Sequence, residues 1–154
     1  MESTPGSFWR VVGNRKQVKT IDDIEILNLK SFSDVDGALV SLESNNQIPF
    51  VIKRIFYVHG VKNQQTRGQH AHYETQQVLI CIKGACQIIC SDGKSSWEHL
   101  LKTPTQAVYI PEMIWDEQIY MSEDTILLVL SNTLYDKKDY INDYSEFKRL
   151  KRNI

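Results

Sequence analysis

"RGQHAHYETQQVLICIKG", Arg67 to Gly84, is the stretch on which the reading of this chain turns. Its two histidines, His70 and His72, flank Ala71. In a strand, residues i and i+2 point to the same side, so both imidazoles aim at one place. In a small barrel that place is the interior, where ligands bind. On an outer face the same pair is merely solvated. The apolar run after the histidines ends at a Lys83-Gly84 turn, and "CQIIC" then leads to a second turn at Asp92-Gly93. That is the rhythm of strands joined by tight turns.

The same rhythm extends in both directions. "IEILNLK" from Ile24 alternates, and "DVDGALVSLE" is a turn at Asp36-Gly37 followed by a strand. "FVIKRIFYVHGV" from Phe50 is β-branched and aromatic, and "AVYIP" and "TILLVLSN" complete the series. Seven or eight short strands without an amphipathic helix between them predict an all-β antiparallel barrel or double-sheet jelly roll. Only "KDYINDYSEFKRLKR" differs. Tyr140, Ile141, Tyr144, Phe147 and Leu150 have helical spacing, and basic residues crowd the last turn. Residues 1–20, rich in Ser, Thr, Pro and Gly, read as an N-terminal extension that packs Phe8 and Trp9. Residues 21–150 read as a single domain.

Composition narrows the function. A chain of 154 residues, 42% hydrophobic, supports one core. A net charge of -1 with scattered Lys and Arg gives no electrostatic case for nucleic acid or an anionic membrane. No apolar run approaches the roughly 20 residues of a membrane helix, and the first residues do not read as a secretory signal. Three cysteines, Cys81, Cys86 and Cys90, lie in apolar strand sequence and read as buried thiols of a cytoplasmic protein.

The spacing G-x-H-x-H-x4-Q-x6-G, Gly68 to Gly84, resembles the first motif of the cupin superfamily. Cupins usually carry glutamate where this chain has Gln77, and a histidine beyond a proline where it has Asp116 after Pro111. A neutral amide is a poor ligand for a divalent first-row metal, although two histidines and one carboxylate can still form a facial triad. The expectation is a cavity that keeps its histidines without metal or other cofactor.

A closer resemblance rests on "GALVSLE" (Gly37 to Glu43), "IPFVIKRIFYV" (Ile48 to Val58), "RGQHAH" (Arg67 to His72), "VYIPEMIW" (Val108 to Trp115) and "LLVLSNTLYDKKDYINDYSEF" (Leu127 to Phe147). These segments are similar to the WxcM-like nucleotide-sugar 3,4-ketoisomerases. The resemblance implies a cupin (RmlC-like) jelly-roll barrel with a short C-terminal helix, working as a homodimer, often with exchanged N-terminal strands. It implies a dTDP-linked 4-keto-6-deoxyhexose as substrate and its 3-keto isomer as product, for deoxyamino sugars of surface glycans.

Moving a ketone from C4 to C3 requires loss of the C3 proton, an enediol, and protonation at C4. Histidine, with its pKa near neutrality, serves as base and then acid. The resemblance assigns His70 as the carrier between carbons and His72 to orient or relay on the oxygen side. It adds a tyrosine, here Tyr57 unless Phe56 occupies that position. Arg54 and Arg67 are candidates for diphosphate or sugar oxygens, because guanidinium makes forked bonds to phosphate. Gln77, Trp115 and Asp116 complete the candidate substrate contacts. Two other readings remain at this stage: a metal-dependent cupin oxygenase, and a non-catalytic sugar-nucleotide-binding cupin.

Overall fold

The computed structural model describes residues 17–154. Most of the N-terminal extension, including the expected packing of Phe8 and Trp9, lies outside the described residues. The strands are β1 (Glu25–Asn28), β2 (Ser31–Asp34), β3 (Gly37–Val40), β4 (Arg54–Val58), β5 (Thr66–His72), β6 (Gln77–Lys83), β7 (Cys86–Ser91), β8 (Ser96–Leu101), β9 (Gln106–Ile110), β10 (Trp115–Tyr120), β11 (Ile126–Ser131) and β12 (Tyr140–Ile141). One α-helix, α1, spans Tyr144–Arg152.

Two five-stranded antiparallel sheets form the barrel, in the orders β1-β9-β6-β11-β4 and β12-β5-β10-β7-β8. This is the jelly-roll barrel that the motif spacing implies. Strand alternation fills its interior from both sheets. Leu79, Cys81, Val108, Leu127 and Val129 meet Cys86, Ile88, Cys90 and Tyr120 there. Burial pushes the Cys81 thiol up to about 11 and Cys86 to about 12, so these cysteines act as small apolar side chains. The β2–β3 hairpin stands apart as a two-stranded sheet. The chain around it, through Ile48 and Phe50, covers the outer face of β6, β9 and β11 at Val78, Ile80, Ala107 and Leu130.

Strand β10 was not among the expected strands because its inward positions, Asp116 and Gln118, are polar. The C-terminal region corrects the sequence reading in a second way. Helix begins at Tyr144, not Lys138, where the Asp143 side chain accepts from the Glu146 N–H at 2.7 Å. Tyr140 and Ile141 are extended and pair with His72 and Ala71. The helical spacing was real from Tyr144 onward, with Phe147 fully buried beside Ala71 and Ile141.

The two motif glycines are there for space. Gly68 has φ +80°, and a Cβ on it would lie 3.0 Å from both the Asp116 carbonyl oxygen and Gln118 Nε2. Gly84 has φ +73°, and its Cβ would come within 2.9 Å of Thr125 Cα and 2.5 Å of Thr125 Oγ1. Gly60 shares the left-handed conformation, φ +69°, but nothing lies within 4 Å. Gly60→Ala is therefore expected to cost about 1 kcal/mol for the backbone alone. Gly84→Ala should cost about 2–4 kcal/mol, because overlap with Thr125 adds to that strain. Urea unfolding of both variants checks this, and equal losses would contradict it.

Candidate active site

Strands β4, β5, β10 and β11 enclose a cavity of about 230 Å³, whose wall includes Phe56, Arg67, His70, Gln77, Gln118 and Tyr140. A larger depression of about 420 Å³ lies around Tyr73, Glu74, Asp136 and Lys138, but neither His70 nor His72 lines it. The smaller cavity is the one that His70 of the HxH pair lines.

Arg67 and His70 are three residues apart, so a regular strand would send them to opposite faces. Gly68 and Gln69 are both left-handed, with φ +80° and +59°. The register against β10 slips there: Asp116 pairs with His70, and the next residue, Glu117, pairs with Gly68. This bulge resets the alternation and brings Arg67 and His70 to one cavity. A non-glycine residue held at positive φ costs roughly 1–2 kcal/mol, which the surrounding pairing must offset.

The two histidines sit in different surroundings. His70 lines the cavity, and its Nε2 is 3.8 Å from Asp116 Oδ1. Asp116 is 1% exposed and accepts from the Gln118 amide. Burial pushes its carboxyl above the usual carboxylate range, while His70 and the Gln118 amide pull the other way. His72 lies behind the cavity surface, with its ring 4.9 Å from His70 and 4.4 Å from Tyr140, centre to centre. Its Nδ1 is 3.0 Å from Asp139 Oδ2. Burial lowers the His72 pKa to about 4, His70 adds to the effect, and Asp139 opposes it.

On β4 the alternation turns Arg54 inward and leaves Lys53 exposed; the Arg54 guanidinium stacks 5.1 Å over Phe56 and 5.6 Å over Tyr135. Gln77 opens β6 and is a buried part of the cavity wall.

Two expectations are corrected. Tyr57 is 64% exposed on the outer face of β4, because alternation gives the interior to Phe56 instead. Trp115 points outward from β10 and packs against Tyr144 and Phe147 of α1, at 5.1 and 5.8 Å. It packs against the helix and is not part of the wall of the His70 cavity. Of the remaining histidines, His59 is exposed, whereas His99 is half-buried and bonds Gln106 Oε1 at 2.6 Å.

Sequence reasoning missed Gln118, Asp139 and Tyr140. The signal for the last two was present in "YDKKDYINDY", a distinctive segment to which no chemistry had been attached. Among the described residues, no group of three or more His, Cys, Asp or Glu side chains is arranged to hold a metal ion. His70, His72 and Asp116 are accordingly not placed to form a facial triad.

His72 links the site to stability. The unfolded chain takes up its proton near pH 6.5, whereas the folded protein does so only near pH 4. The stability this contributes is complete above pH 6.5 and is lost as pH falls towards 4. The loss is about 3 kcal/mol. Urea unfolding at pH 7 and pH 4 should show a drop that shrinks by that amount in His72→Asn. An identical drop in both proteins would contradict the assignment.

Comparison with known proteins agrees with this geometry. The family described as "FdtA: WxcM-like, C-terminal" matches residues 22–152. A TDP-4-oxo-6-deoxy-alpha-D-glucose-3,4-oxoisomerase from Aneurinibacillus thermoaerophilus is 38% identical over 125 residues, 81% of this chain and 90% of the relative. Among solved structures, a 3,4-ketoisomerase from Helicobacter canadensis is 39% identical with a TM-score of 0.82, covering 84% of this chain and 98% of that one. QdtA, a sugar 3,4-ketoisomerase from Thermoanaerobacterium thermosaccharolyticum solved in complex with TDP, is 32% identical with a TM-score of 0.83, covering 86% and 97%. With the match spanning the barrel, the bulged histidine strand and the C-terminal helix, the chain belongs to the WxcM-like FdtA family.

Proposed function

We propose that this protein is a nucleotide-sugar 3,4-ketoisomerase that converts dTDP-4-keto-6-deoxyglucose to a dTDP-3-keto-6-deoxyhexose. The observation that carries the reading is the bulge that places His70 in one cavity with Arg67, Gln77 and Gln118. An imidazole that opens onto the cavity is what a proton transfer between adjacent carbons needs. His70 removes the proton at C3, which the neighbouring ketone acidifies, and electrons move to give an enediol. It then returns a proton at C4 while the C3 hydroxyl proton passes to the C4 oxygen, leaving a ketone at C3 and a hydroxyl at C4. Nothing is oxidised or reduced overall.

The other groups divide the remaining work. Arg67 and Arg54 supply guanidinium donors for diphosphate or sugar oxygens. Gln77 and Gln118 offer both donors and acceptors to sugar hydroxyls from the buried wall. Asp116, beneath His70, limits how that ring can turn. The 3-keto product has an electrophilic carbon suited to amination, which places the reaction before amination in deoxyamino-sugar synthesis for surface glycans, in the cytoplasm. Among the described residues, no helix is long and apolar enough to cross a membrane.

The working form is a homodimer. Its contact is the apolar outer surface around β4 and the β2–β3 hairpin, where Phe32, Leu39, Ile55 and Tyr57 are 54–64% exposed. Such an apolar patch on a protein surface is characteristic of an interface. Tyr57 then belongs to subunit contact rather than to proton transfer. Exchange of N-terminal strands between subunits fits the isolated position of that hairpin.

His70→Asn is expected to lower the isomerisation rate by at least about 10²-fold while TDP still binds, as read by product formation and calorimetry. Wild-type turnover by this variant would contradict the role given to His70. Ile55→Glu should convert a sedimenting dimer to monomer, and an unchanged dimer would rule out this surface.

A further inference from the structure

His72 is held by a network with no part in the reaction described so far. Asp139 Oδ1 accepts the Glu74 backbone N–H at 2.8 Å, and Oδ2 accepts both from His72 Nδ1 at 3.0 Å and from the Thr75 hydroxyl. The Thr75 hydroxyl also lies 2.6 Å from that of Thr133, which links the network to the end of β11. The Asp139 carbonyl accepts from the Tyr73 N–H at 3.0 Å. Asp139 is thus fixed in position and orientation 67 residues away from the histidine it serves.

A carboxylate that accepts from other donors on both oxygens offers His72 only an acceptor. Nδ1 must therefore carry the hydrogen, and in a neutral ring Nε2 must then be a bare lone pair. That nitrogen is buried and has no hydrogen-bond partner among the described residues. Its ring lies against His70 and Tyr140, both of which line the cavity. A buried acceptor beside a polar cavity is costly unless something donates to it.

We propose that Asp139 is a positioning residue that fixes His72 as the neutral Nδ1–H tautomer, leaving Nε2 a bare acceptor behind the wall that His70 and Tyr140 form, for a donor that comes within reach when a sugar enters the cavity. The inference rests on the ketoisomerase reading for the identity of the donor, but not for the tautomer. His72 accepts that hydrogen bond without taking the proton. A second imidazolium within 4.9 Å would oppose protonation of His70, so a neutral His72 leaves the moving proton to one ring. The groups facing His72 are His70, Tyr140, Asp139 and, at longer range, Arg54. Two histidines of one motif thereby take different tasks, and a residue far along the chain sets the difference.

Histidine ring nitrogen NMR on the substrate-free wild-type protein at pH 7 tests the tautomer directly. The expected spectrum has hydrogen on Nδ1 of His72 and none on Nε2. A ring protonated at Nε2, whether as the other tautomer or as the cation, would overturn the proposal. Asp139→Asn keeps size but turns an NH2 towards His72, because the Glu74 N–H holds the amide oxygen on its own side. The variant should show the opposite tautomer and lose on the order of 10²-fold or more in kcat, with KM within about threefold. Unchanged kcat would overturn the proposal. Thr75→Val perturbs the same network without removing the carboxylate, so it should keep the wild-type tautomer and kcat within about fivefold. A Thr75→Val loss as large as that of Asp139→Asn, with the tautomer unchanged, would make the effect structural and overturn the positioning role. If Asp139→Asn fails to fold, the wild-type tautomer and Thr75→Val still decide the matter. If His72 has the expected tautomer but the wild-type protein converts no nucleotide sugar, the functional reading fails and the tautomer assignment stands.

Discussion

A strand can present Arg67 and His70 to the same cavity only if its alternation is broken once between them. The break is the bulge at Gly68 and Gln69, where two consecutive residues adopt positive φ and the register with β10 slips. Everything else about the site depends on it. After the bulge, His70 faces the cavity, Ala71 faces the packing of α1, and His72 turns inward again beside Tyr140. Gly68 must be glycine because the Asp116 carbonyl and the Gln118 side chain press against the position where a Cβ would be. The same contact that forbids a side chain brings Gln118 into the cavity wall.

The second organising constraint is electrostatic. Each histidine has its own aspartate, and the two aspartates are held differently. Asp116 is buried, and its contact with His70 is loose at 3.8 Å. Asp139 is gripped by backbone and hydroxyl donors and bonds His72 at 3.0 Å. A loosely held ring next to open space is suited to moving a proton, whereas a tightly held one is suited to presenting a fixed acceptor. On the proposed reading, the HxH pair divides into a carrier and an orienting partner.

Much of this was legible in the sequence. Alternation, turn glycines and the HxH spacing carried the barrel, and the bias of the last fifteen residues carried the helix. What failed depended on register. Tyr57 and Phe56 are adjacent, and only the pairing of β4 with β11 determines which of them enters the barrel. Trp115 and Asp116 pose the same question on β10, where polar inward residues also hid the strand itself. Tyr140 was concealed because extended and helical segments adjoin there, and the apolar spacing runs across the boundary at Asp143. Asp139 could not be matched with His72 from sequence, since the two meet only through β12 pairing with β5.

The central claim is that His70 carries a proton between adjacent carbons of a keto sugar. Following dTDP-4-keto-6-deoxyglucose with the protein in deuterium oxide by proton and carbon NMR tests it most directly. The account predicts that the ketone signal moves from C4 to C3 and that C4 gains one hydrogen, either protium carried from C3 or deuterium exchanged onto His70, with neither change in His70→Asn. A ketone that stays at C4, or deuterium entering only at C5, would contradict it.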